Sequence, residues 1–333
     1  MSRYGATHGH IGAQPVVVLQ DAQAGREIRI ARRGAALLNY RVRGAGGVWR
    51  DIAAGFRDEG EIASHPGSRF AVMAPFAGRI DDARYRFAGR EEDLQPGVTG
   101  ASRGIRHGFV RDALFDVLAL DADEHRAQVV LGTSAIRPRP GYPHAIDLRV
   151  AFTLDAGGLT LEACMRNVGA GAAPCFFGWH PYFAIGDGPV DDWELQIPAQ
   201  SLIRTGPDLI ALAGAQAYVA LDDAPALDFR EPRRIGPSII DQGYTDVEAD
   251  ADGRIHTRLR DPASGWALAL WQERGVVHAF TADTVARGQR RALAIEPMEC
   301  MADAFNRPEC ADAIRLEPGM EREFRCGVEV LPA

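Results

Sequence analysis

The sequence lacks several features that would assign its chemistry at once. Its 333 residues include five cysteines, which are scattered and form no CxxC pair: Cys164, Cys175, Cys300, Cys310 and Cys326. A disulfide framework and a zinc site are therefore not expected. The sequence also has no P-loop, no GxGxxG fingerprint and no HExxH motif. It therefore predicts neither a metal nor a nucleotide cofactor.

Long apolar runs and an excess of positive charge are absent as well. No run approaches the ~18 apolar residues that a membrane span needs. The opening MSRYGATHGHIG has no apolar core of a secretory signal. Acidic residues outnumber basic ones by 45 to 37, a net charge of −8, whereas nucleic-acid binding needs a basic surface. We therefore expect a reduced, cytoplasmic protein that binds neither nucleic acid nor membrane.

The dominant period of the sequence is two. Between residues 145 and 166, apolar residues alternate with polar ones on both sides of the turn 155–158 (DAGG). This alternation is typical of half-buried strands, and glycine suits the tight turn of a hairpin. We therefore predict a β-hairpin over 145–166.

The same alternation predicts further strands, at 16–19, 27–31, 255–260, 266–271 and 324–330. Helical periodicity is weak: the best candidate is 208–220, and Gly214 disfavours a helix there. Strands separated by turns rich in glycine and proline predict an all-β fold, a large antiparallel β-sandwich with few short helices. We expect residues 15–333 to form one domain. Residues 1–14 have little to bury and are expected to form a mobile tail.

The segment 178–183 (GWHPYF) holds a histidine between aromatic residues. Next to His180, Pro181 fixes the backbone φ and removes a hydrogen-bond donor. An imidazole shielded from water by such neighbours is able to titrate near neutrality and to act as a general acid. A structural histidine bonded to a backbone carbonyl explains the motif at least as well when it is taken alone.

A second segment, 292–300, carries a candidate base. Glu296 ends the apolar run 292–295 and precedes Pro297, which predicts a position at a strand end facing an opening of the fold. Partial burial raises the pKa of a carboxyl group towards the range of a general base. A surface glutamate is the alternative, and Glu299 is a competing candidate close by.

A third pair of segments carries candidate binding residues. Arg79 comes after an apolar run, and His107 lies in the later segment 106–109 (RHGF). The arginine fork suits a pair of sugar hydroxyls or an anion. An ion pair with Asp81 or Asp82 is the alternative for Arg79, and His107 alone indicates nothing specific.

Taken together and in this order, the segments resemble the aldose 1-epimerase (galactose mutarotase) family. The resemblance extends from about Phe70 to Asn306. It rests on the blocks APFAGRIDDARYRFAG, HGFVRDALFDV, GYPHAIDLRVAFTLDAGGLTLEACMRNVG, GWHPYF, IDQGYTD and AIEPMECMADAFN. It implies a β-sandwich of the galactose mutarotase type with a sugar-binding cleft on one sheet. It also implies an isomerase of carbohydrate metabolism that works without a cofactor.

By this resemblance, His180 corresponds to the family's catalytic histidine and Glu296 to its catalytic glutamate. To interconvert the α and β anomers of a free aldohexose, a proton leaves the C1 hydroxyl and another is delivered to the ring oxygen. These two positions lie on different sides of the anomeric centre, so two groups are needed. We assign Glu296 as the base and His180 as the acid, with the roles exchanged on ring closure.

The resemblance also implies the substrate-binding positions Arg79, His107 and Asp241. Asp246 lies close to Asp241 and competes with it for this role. Trp179 and Tyr182 are expected to stack on the sugar. The chain departs from the family pattern at Gly78, where many members have asparagine. The expected partner is a small sugar, bound by a monomer or a weak homodimer.

Other functions remain open at this point. A hexose-6-phosphate mutarotase of the same family would need a phosphate site, for which candidate arginines are Arg103, Arg106, Arg111, Arg137 and Arg139. A non-catalytic sugar-binding protein would be favoured by a broken acid–base pair. Glycoside hydrolysis needs two carboxylates, for which Glu296 and Asp241 are available, but the histidine motif disfavours it.

Overall fold

The fold is built almost entirely of strands in the computed structural model, which describes residues 2–100 and 103–331. The first half of the chain contains β1 (Tyr4–Ile11), β2 (Gln14–Asp21), β3 (Arg26–Ala31), β4 (Leu37–Arg43), β5 (Trp49–Asp51), β6 (Val72–Met73), β7 (Arg79–Ile80), β8 (Arg84–Phe87), β9 (Arg90–Asp93), β10 (Ile105–Arg106), β11 (Asp116–Ala122), β12 (Arg126–Ile136), β13 (Ile146–Asp155) and β14 (Gly158–Asn167). The second half contains β15 (Ala173–Pro174), β16 (Gly178–Trp179), β17 (Tyr182–Phe183), β18 (Glu194–Gln196), β19 (Ala199–Ile203), β20 (Tyr218–Ala220), β21 (Arg233–Arg234), β22 (Asp241–Val247), β23 (Ile255–Arg260), β24 (Ala267–Gln272), β25 (Val276–Phe280), β26 (Leu293–Met298), β27 (Arg315–Leu316) and β28 (Glu321–Leu331). Two short helices, α1 (Glu59–Ser64) and α2 (Ala311–Ile314), accompany them.

Two large antiparallel sheets form the body of the fold. One has nine strands in the order β11-β12-β13-β14-β28-β24-β23-β18-β21. The other has eight, in the order β20-β19-β22-β25-β26-β16-β6, with β17 also paired to β26. Their buried faces contribute to one apolar cluster, which includes Phe152 of the first sheet and Val277 of the second. The predicted all-β antiparallel fold with few short helices is therefore confirmed.

The strands predicted from alternation are present. The hairpin over 145–166 is β13 and β14, paired from Ile146 with Asn167 to Asp155 with Gly158. Along β13, the apolar residues are buried while their neighbours are partly or fully exposed. The predicted pair at 255–260 and 266–271 corresponds to β23 and β24. A period of two thus located these strands because one face of each is buried.

The structure differs from the expectation at two places. Instead of a mobile tail over residues 1–14, Tyr4–Ile11 pair along their whole length with β2; Met1 lies outside the described residues. The backbone hydrogen bonds of an edge strand need no apolar side chains, so composition alone missed this strand. The candidate helix at 208–220 is not an α-helix: the segment holds a short 3₁₀ turn and β20, because Leu209 and Gly214 have positive φ.

Among the residues that the structure describes, there is no helix with the length and apolar content needed to cross a membrane.

The eight-stranded sheet is the part of the fold that positions the site. Its four neighbouring strands β22, β25, β26 and β17 bring together residues that are distant in sequence.

Candidate active site

A row of polar side chains crosses one face of the eight-stranded sheet. β16 and β17 pair with β26 on either side of His180, in a register that places His180 opposite Glu296. On its other side, Glu296 pairs with His278 of β25. Asp241 begins the next strand, β22, and points to the same face as His278 because side chains alternate along a strand. Strand pairing therefore collects two histidines and two carboxyl groups in one line.

These side chains line a cavity of about 440 Å³. This volume suits a small-molecule site. Arg79, His107 and Tyr182 line the same cavity. The structure thus brings six of the seven predicted site residues together, and Trp179 is the exception.

His180 and Glu296 form a buried pair. The His180 Nε2 atom lies 3.3 Å from Glu296 Oε1, and the two residues are only 6% and 3% exposed. Burial lowers the pKa of His180 to about 3 and raises the pKa of Glu296 to about 8. Both shifts disfavour the charged forms. Near neutral pH the pair therefore holds one proton between its two members.

Asp241 and His278 form a second pair beside the first. His278 Nε2 donates a hydrogen bond to Asp241 Oδ1 over 2.8 Å. Burial by itself would lower the pKa of His278, but this hydrogen bond and the negative charges of Glu296 and Asp241 raise it. Burial would likewise raise the pKa of Asp241, but His278 and Arg79 lower it. The pair is therefore favoured as imidazolium and carboxylate.

His107 is held as a neutral donor. The backbone N–H of Gly78 donates to His107 Nδ1 over 3.3 Å, and burial lowers the pKa of His107 well below its usual value. The remaining ring proton is therefore on Nε2. The residue after it, Gly108, has φ +66°, and a Cβ there would lie 1.9 Å from the Ala74 carbonyl oxygen. Only glycine allows the chain to pass this close to Ala74 and to present His107.

Two arginines face each other at the cavity. Arg79 of β7 is directly paired with Arg106 of β10, and both line the cavity. Asp82, a suggested partner of Arg79, is bonded instead to Arg84 and Arg103. Within residues 2–100 and 103–331, neither Arg79 nor Arg106 has an ion-pair or side-chain hydrogen-bond partner. Like charges placed directly opposite are unfavourable, so this pair is suited to hydroxyl or anionic ligands.

The assignment of Trp179 to the sugar site is wrong. Trp179 is fully buried and packs edge-on against Phe70, with ring centroids 5.7 Å apart. Side chains alternate along a strand, so residues 180 and 182 point into the cavity while Trp179 and Phe183 point into the core. The period of two, which located the strands, also separates these aromatic residues.

Tyr182 lines the cavity but does not offer a ring face to it. One face stacks on the His180 ring, with centroids 4.9 Å apart and planes 7° from parallel. The Arg69 guanidinium lies 4.8 Å from the ring centroid. The Tyr182 hydroxyl donates to the Gly67 carbonyl oxygen over 3.0 Å. These contacts fix the Tyr182 ring, which in turn holds the imidazole of His180 in place.

The structure separates the competing carboxylates. Glu299 accepts a hydrogen bond from the Phe177 backbone N–H over 2.7 Å and pairs with Arg274 over 2.6 Å, so it acts in packing rather than at the cavity. Asp246 is exposed on β22, whereas Asp241 lines the cavity. The geometry therefore selects Glu296 and Asp241.

Packing explains why the chain has glycine at position 78, where the family pattern has asparagine. Gly78 has φ +68°, and a Cβ there would lie 2.6 Å from the Cβ of Ala302. An asparagine at this position would have to displace the segment that contains Ala302. The close approach of Ala302 to the backbone at residue 78 thus requires glycine at that position.

Of the arginines considered for a phosphate site, only Arg106 lines this cavity. Arg103 is bonded to Asp82 and Asp93, and Arg137 is bonded to Asp147. Arg111 donates to the Ser68 hydroxyl, while the Arg139 guanidinium lies over the Phe109 ring. These four are engaged in structural contacts.

His278 is the site residue that sequence reasoning missed. It interrupts the otherwise apolar strand β25 (VVHAF), and a polar residue within an apolar strand was the available signal.

In the part of the chain that the structure describes, no group of three or more His, Cys, Asp and Glu side chains is arranged to hold a metal ion.

Comparison with known proteins places this geometry in context. The chain is 27% identical to the uncharacterized protein YihR of Escherichia coli K12 over 249 residues, 74% of each chain. It is 26% identical to the uncharacterized protein YphB of the same organism over 283 residues, covering 82% of this chain and 87% of YphB. Among solved structures, galactose 1-epimerase from Lactobacillus acidophilus superposes with a TM-score of 0.81 at 15% identity, covering 99% of both chains.

The fold is therefore of the galactose mutarotase type. The family model described as Aldose 1-epimerase matches residues 15–329, and this range contains the whole cavity. The chain belongs to the aldose 1-epimerase family, a family of isomerases.

Proposed function

We propose that the protein interconverts the α and β anomers of a free aldohexose by opening and closing the sugar ring. The observation that carries the proposal is the His180–Glu296 contact of 3.3 Å within the cavity. Ring opening needs one group to accept a proton and another to donate one. A buried pair that shares a single proton supplies both at once.

In the proposed mechanism, the single proton of the pair moves from Glu296 to His180 once the sugar is bound. The Glu296 carboxylate then takes the proton of the C1 hydroxyl while the His180 imidazolium protonates the ring oxygen. The bond between C1 and the ring oxygen breaks, and C1 becomes an aldehyde. After rotation about C1–C2, neutral His180 accepts the proton back from the attacking hydroxyl, and protonated Glu296 returns its proton to the aldehyde oxygen. The pair starts and ends with one proton, so no external acid or base is consumed.

The remaining cavity residues support binding of the sugar. His107 has its Nε2 proton free for a hydroxyl, because its Nδ1 accepts from Gly78. Asp241 accepts hydrogen bonds, and the Arg79 guanidinium presents several donors in a fixed plane. Such positioning is important because a shift of ~1 Å in the substrate is able to cost ~100-fold in rate.

A second candidate substrate is an aldose that carries an acidic group, such as a hexose phosphate or a uronic acid. The observation that favours it is the cross-strand pair of Arg79 and Arg106, two arginines that both line the cavity. An anion between them would relieve their repulsion and accept bidentate hydrogen bonds. The chemistry at C1 would be unchanged.

The test is to measure anomer exchange on a panel of sugars: α-glucose, α-galactose, glucose-6-phosphate and glucuronate. Optical rotation or NMR exchange reports the rate, and the buffer-catalysed rate is subtracted. Acceleration of the neutral sugars supports the first candidate, and acceleration confined to the acidic sugars supports the second. Sugar binding without acceleration would indicate a non-catalytic sugar-binding protein.

The catalytic assignment predicts the effect of two substitutions. We expect Glu296→Gln and His180→Asn each to lower the rate by about 100-fold or more, because each removes one proton-transfer group. Circular dichroism is expected to show the fold retained. Glu91→Gln, on an exposed strand, is the control. Full activity of either cavity variant would refute the assignment.

A further inference from the structure

His278 stands in the middle of the polar row and has no role in the acid–base steps described above. It pairs with Glu296 on one neighbouring strand, and it donates a hydrogen bond to Asp241 at the start of the other. Its side chain is 24% exposed, and that of Asp241 36% exposed. Both therefore reach the cavity, in contrast to the nearly closed His180–Glu296 pair.

We propose, on the basis of the function proposed above, that His278 is a further positioning residue of the site. It holds the Asp241 carboxylate towards the sugar, and its imidazolium charge sets the pH range in which Glu296 and His180 exchange protons with the substrate. His278 is able to act on both residues because it lies between the carboxyl groups of Glu296 and Asp241.

The geometry gives His278 two separate effects. Its hydrogen bond fixes the orientation of the Asp241 carboxylate, so that the free oxygen is directed to a substrate hydroxyl. Its positive charge lies beside the catalytic pair and disfavours a further proton on either member. In agreement, His278 lowers the pKa of Glu296 and the pKa of His180, although burial is the largest influence on both.

The other charged groups around His278 do not replace this effect. On the strands packed against β25, the charged groups that face it are Asp241 and Glu296. Across the cavity lie two histidines, His180 and His107, whose pKa values burial lowers. The arginines Arg79 and Arg106 also line the cavity, and Arg287 there is paired with Glu61. Arginine stays charged throughout the accessible pH range, so His278 is the cation of this row that titrates.

The test replaces the imidazolium with a neutral amide. In His278→Gln we expect both limbs of the pH profile of kcat/KM to move to higher pH by about one unit, because a nearby positive charge has been removed. We also expect KM to rise, because Asp241 loses the hydrogen bond that orients it. The matched control is His256→Gln. His256 lies on β23 in the other large sheet, and it is also close to an aspartate, Asp250. Its pH profile is expected to match the wild type.

A second measurement is independent of activity. With ¹³C-labelled glutamate, the Glu296 carboxyl signal is identified by its loss in Glu296→Gln and titrated without substrate. Its pKa, raised by burial to about 8 in the wild type, is expected to be higher in His278→Gln. An unchanged Glu296 titration together with unchanged pH limbs would overturn the proposal. If the wild type accelerates no aldose, the proposed function fails, and the Glu296 titration still decides whether the charge of His278 acts on the pair.

Discussion

The proposed catalytic pair, His180 and Glu296, illustrates how burial prepares ordinary side chains for proton transfer. In water a glutamate would be ionised and a histidine largely neutral near pH 7. In the cavity, burial raises the pKa of Glu296 to about 8 and lowers the pKa of His180 to about 3. The two values bracket a wide pH range in which the pair carries one proton. The proposed ring opening needs this protonation state, with the proton moving from Glu296 to His180 before the reaction.

The pH dependence of the rate follows from this count. Above about pH 8 the pair loses its only proton, and no acid remains to protonate the ring oxygen. We therefore expect kcat/KM of the wild type to be level near neutrality and to fall above about pH 8, where the buried Glu296 carboxyl ionises. The measurement is an NMR exchange rate from pH 6 to 10, with the buffer rate subtracted at each pH. A rate that climbs continuously to pH 10 would contradict a shared proton.

At the scale of strands, the site depends on the register of four neighbours in one sheet. A slip by one residue would turn each cavity side chain into the core. Gly275, in the turn between β24 and β25, helps to fix this register. It has φ +95°, and a Cβ there would lie 2.0 Å from the Met298 carbonyl oxygen at the end of β26. The turn is thus pressed against the strand that carries Glu296.

Gly275→Ala tests this role. Its cost combines a positive φ with a collision against backbone, whereas Gly253→Ala has φ +80° with nothing within 4 Å. We expect Gly253→Ala to cost about 1 kcal/mol from the left-handed backbone alone, and Gly275→Ala to cost about 2 kcal/mol more because the backbone must shift. Urea denaturation measures both. We also expect only Gly275→Ala to reduce activity, and equal stabilities would show that β26 does not depend on this turn.

At the scale of the whole molecule, burial of the Glu296 carboxyl group lowers the free energy of unfolding at alkaline pH. The pKa of Glu296 is about 8 in the folded protein, whereas an unfolded glutamate has a pKa of about 4.3. A carboxyl group with a raised pKa contributes stability below its unfolded pKa, and this contribution is lost as the pH rises through the folded pKa. Burial of the Glu296 carboxyl group thus lowers the stability of the fold at alkaline pH, as expected if the group serves the proposed chemistry.

Glu296→Gln is therefore expected to gain stability relative to the wild type as the pH rises. Glutamine has a similar shape and no charge, so the difference in unfolding free energy between variant and wild type should grow by several kcal/mol between pH 5 and pH 9. Urea denaturation at the two pH values measures it. The exposed substitution Glu91→Gln should show no such trend. A difference that is the same at both pH values would mean that Glu296 is not buried as a proton-binding group.

The sequence by itself determined the class of fold and the family. Alternation of apolar and polar residues located the main strands because burial of one face imposes that period. The ordered motifs identified the family, and within them His180, Glu296, Arg79, His107 and Asp241 were found at the cavity. These features are local or depend on order along the chain, so a sequence is sufficient to reveal them.

The tertiary structure alone decided which side chains share a face. It assigned Trp179 to the core and Tyr182 to the support of His180, it selected Asp241 over Asp246, and it added His278 to the row. It also showed that Tyr4–Ile11, within the expected mobile tail, form an edge strand. Each of these outcomes depends on strand pairing between distant segments. Pairing fixes the face that a residue presents, and no local pattern contains that information.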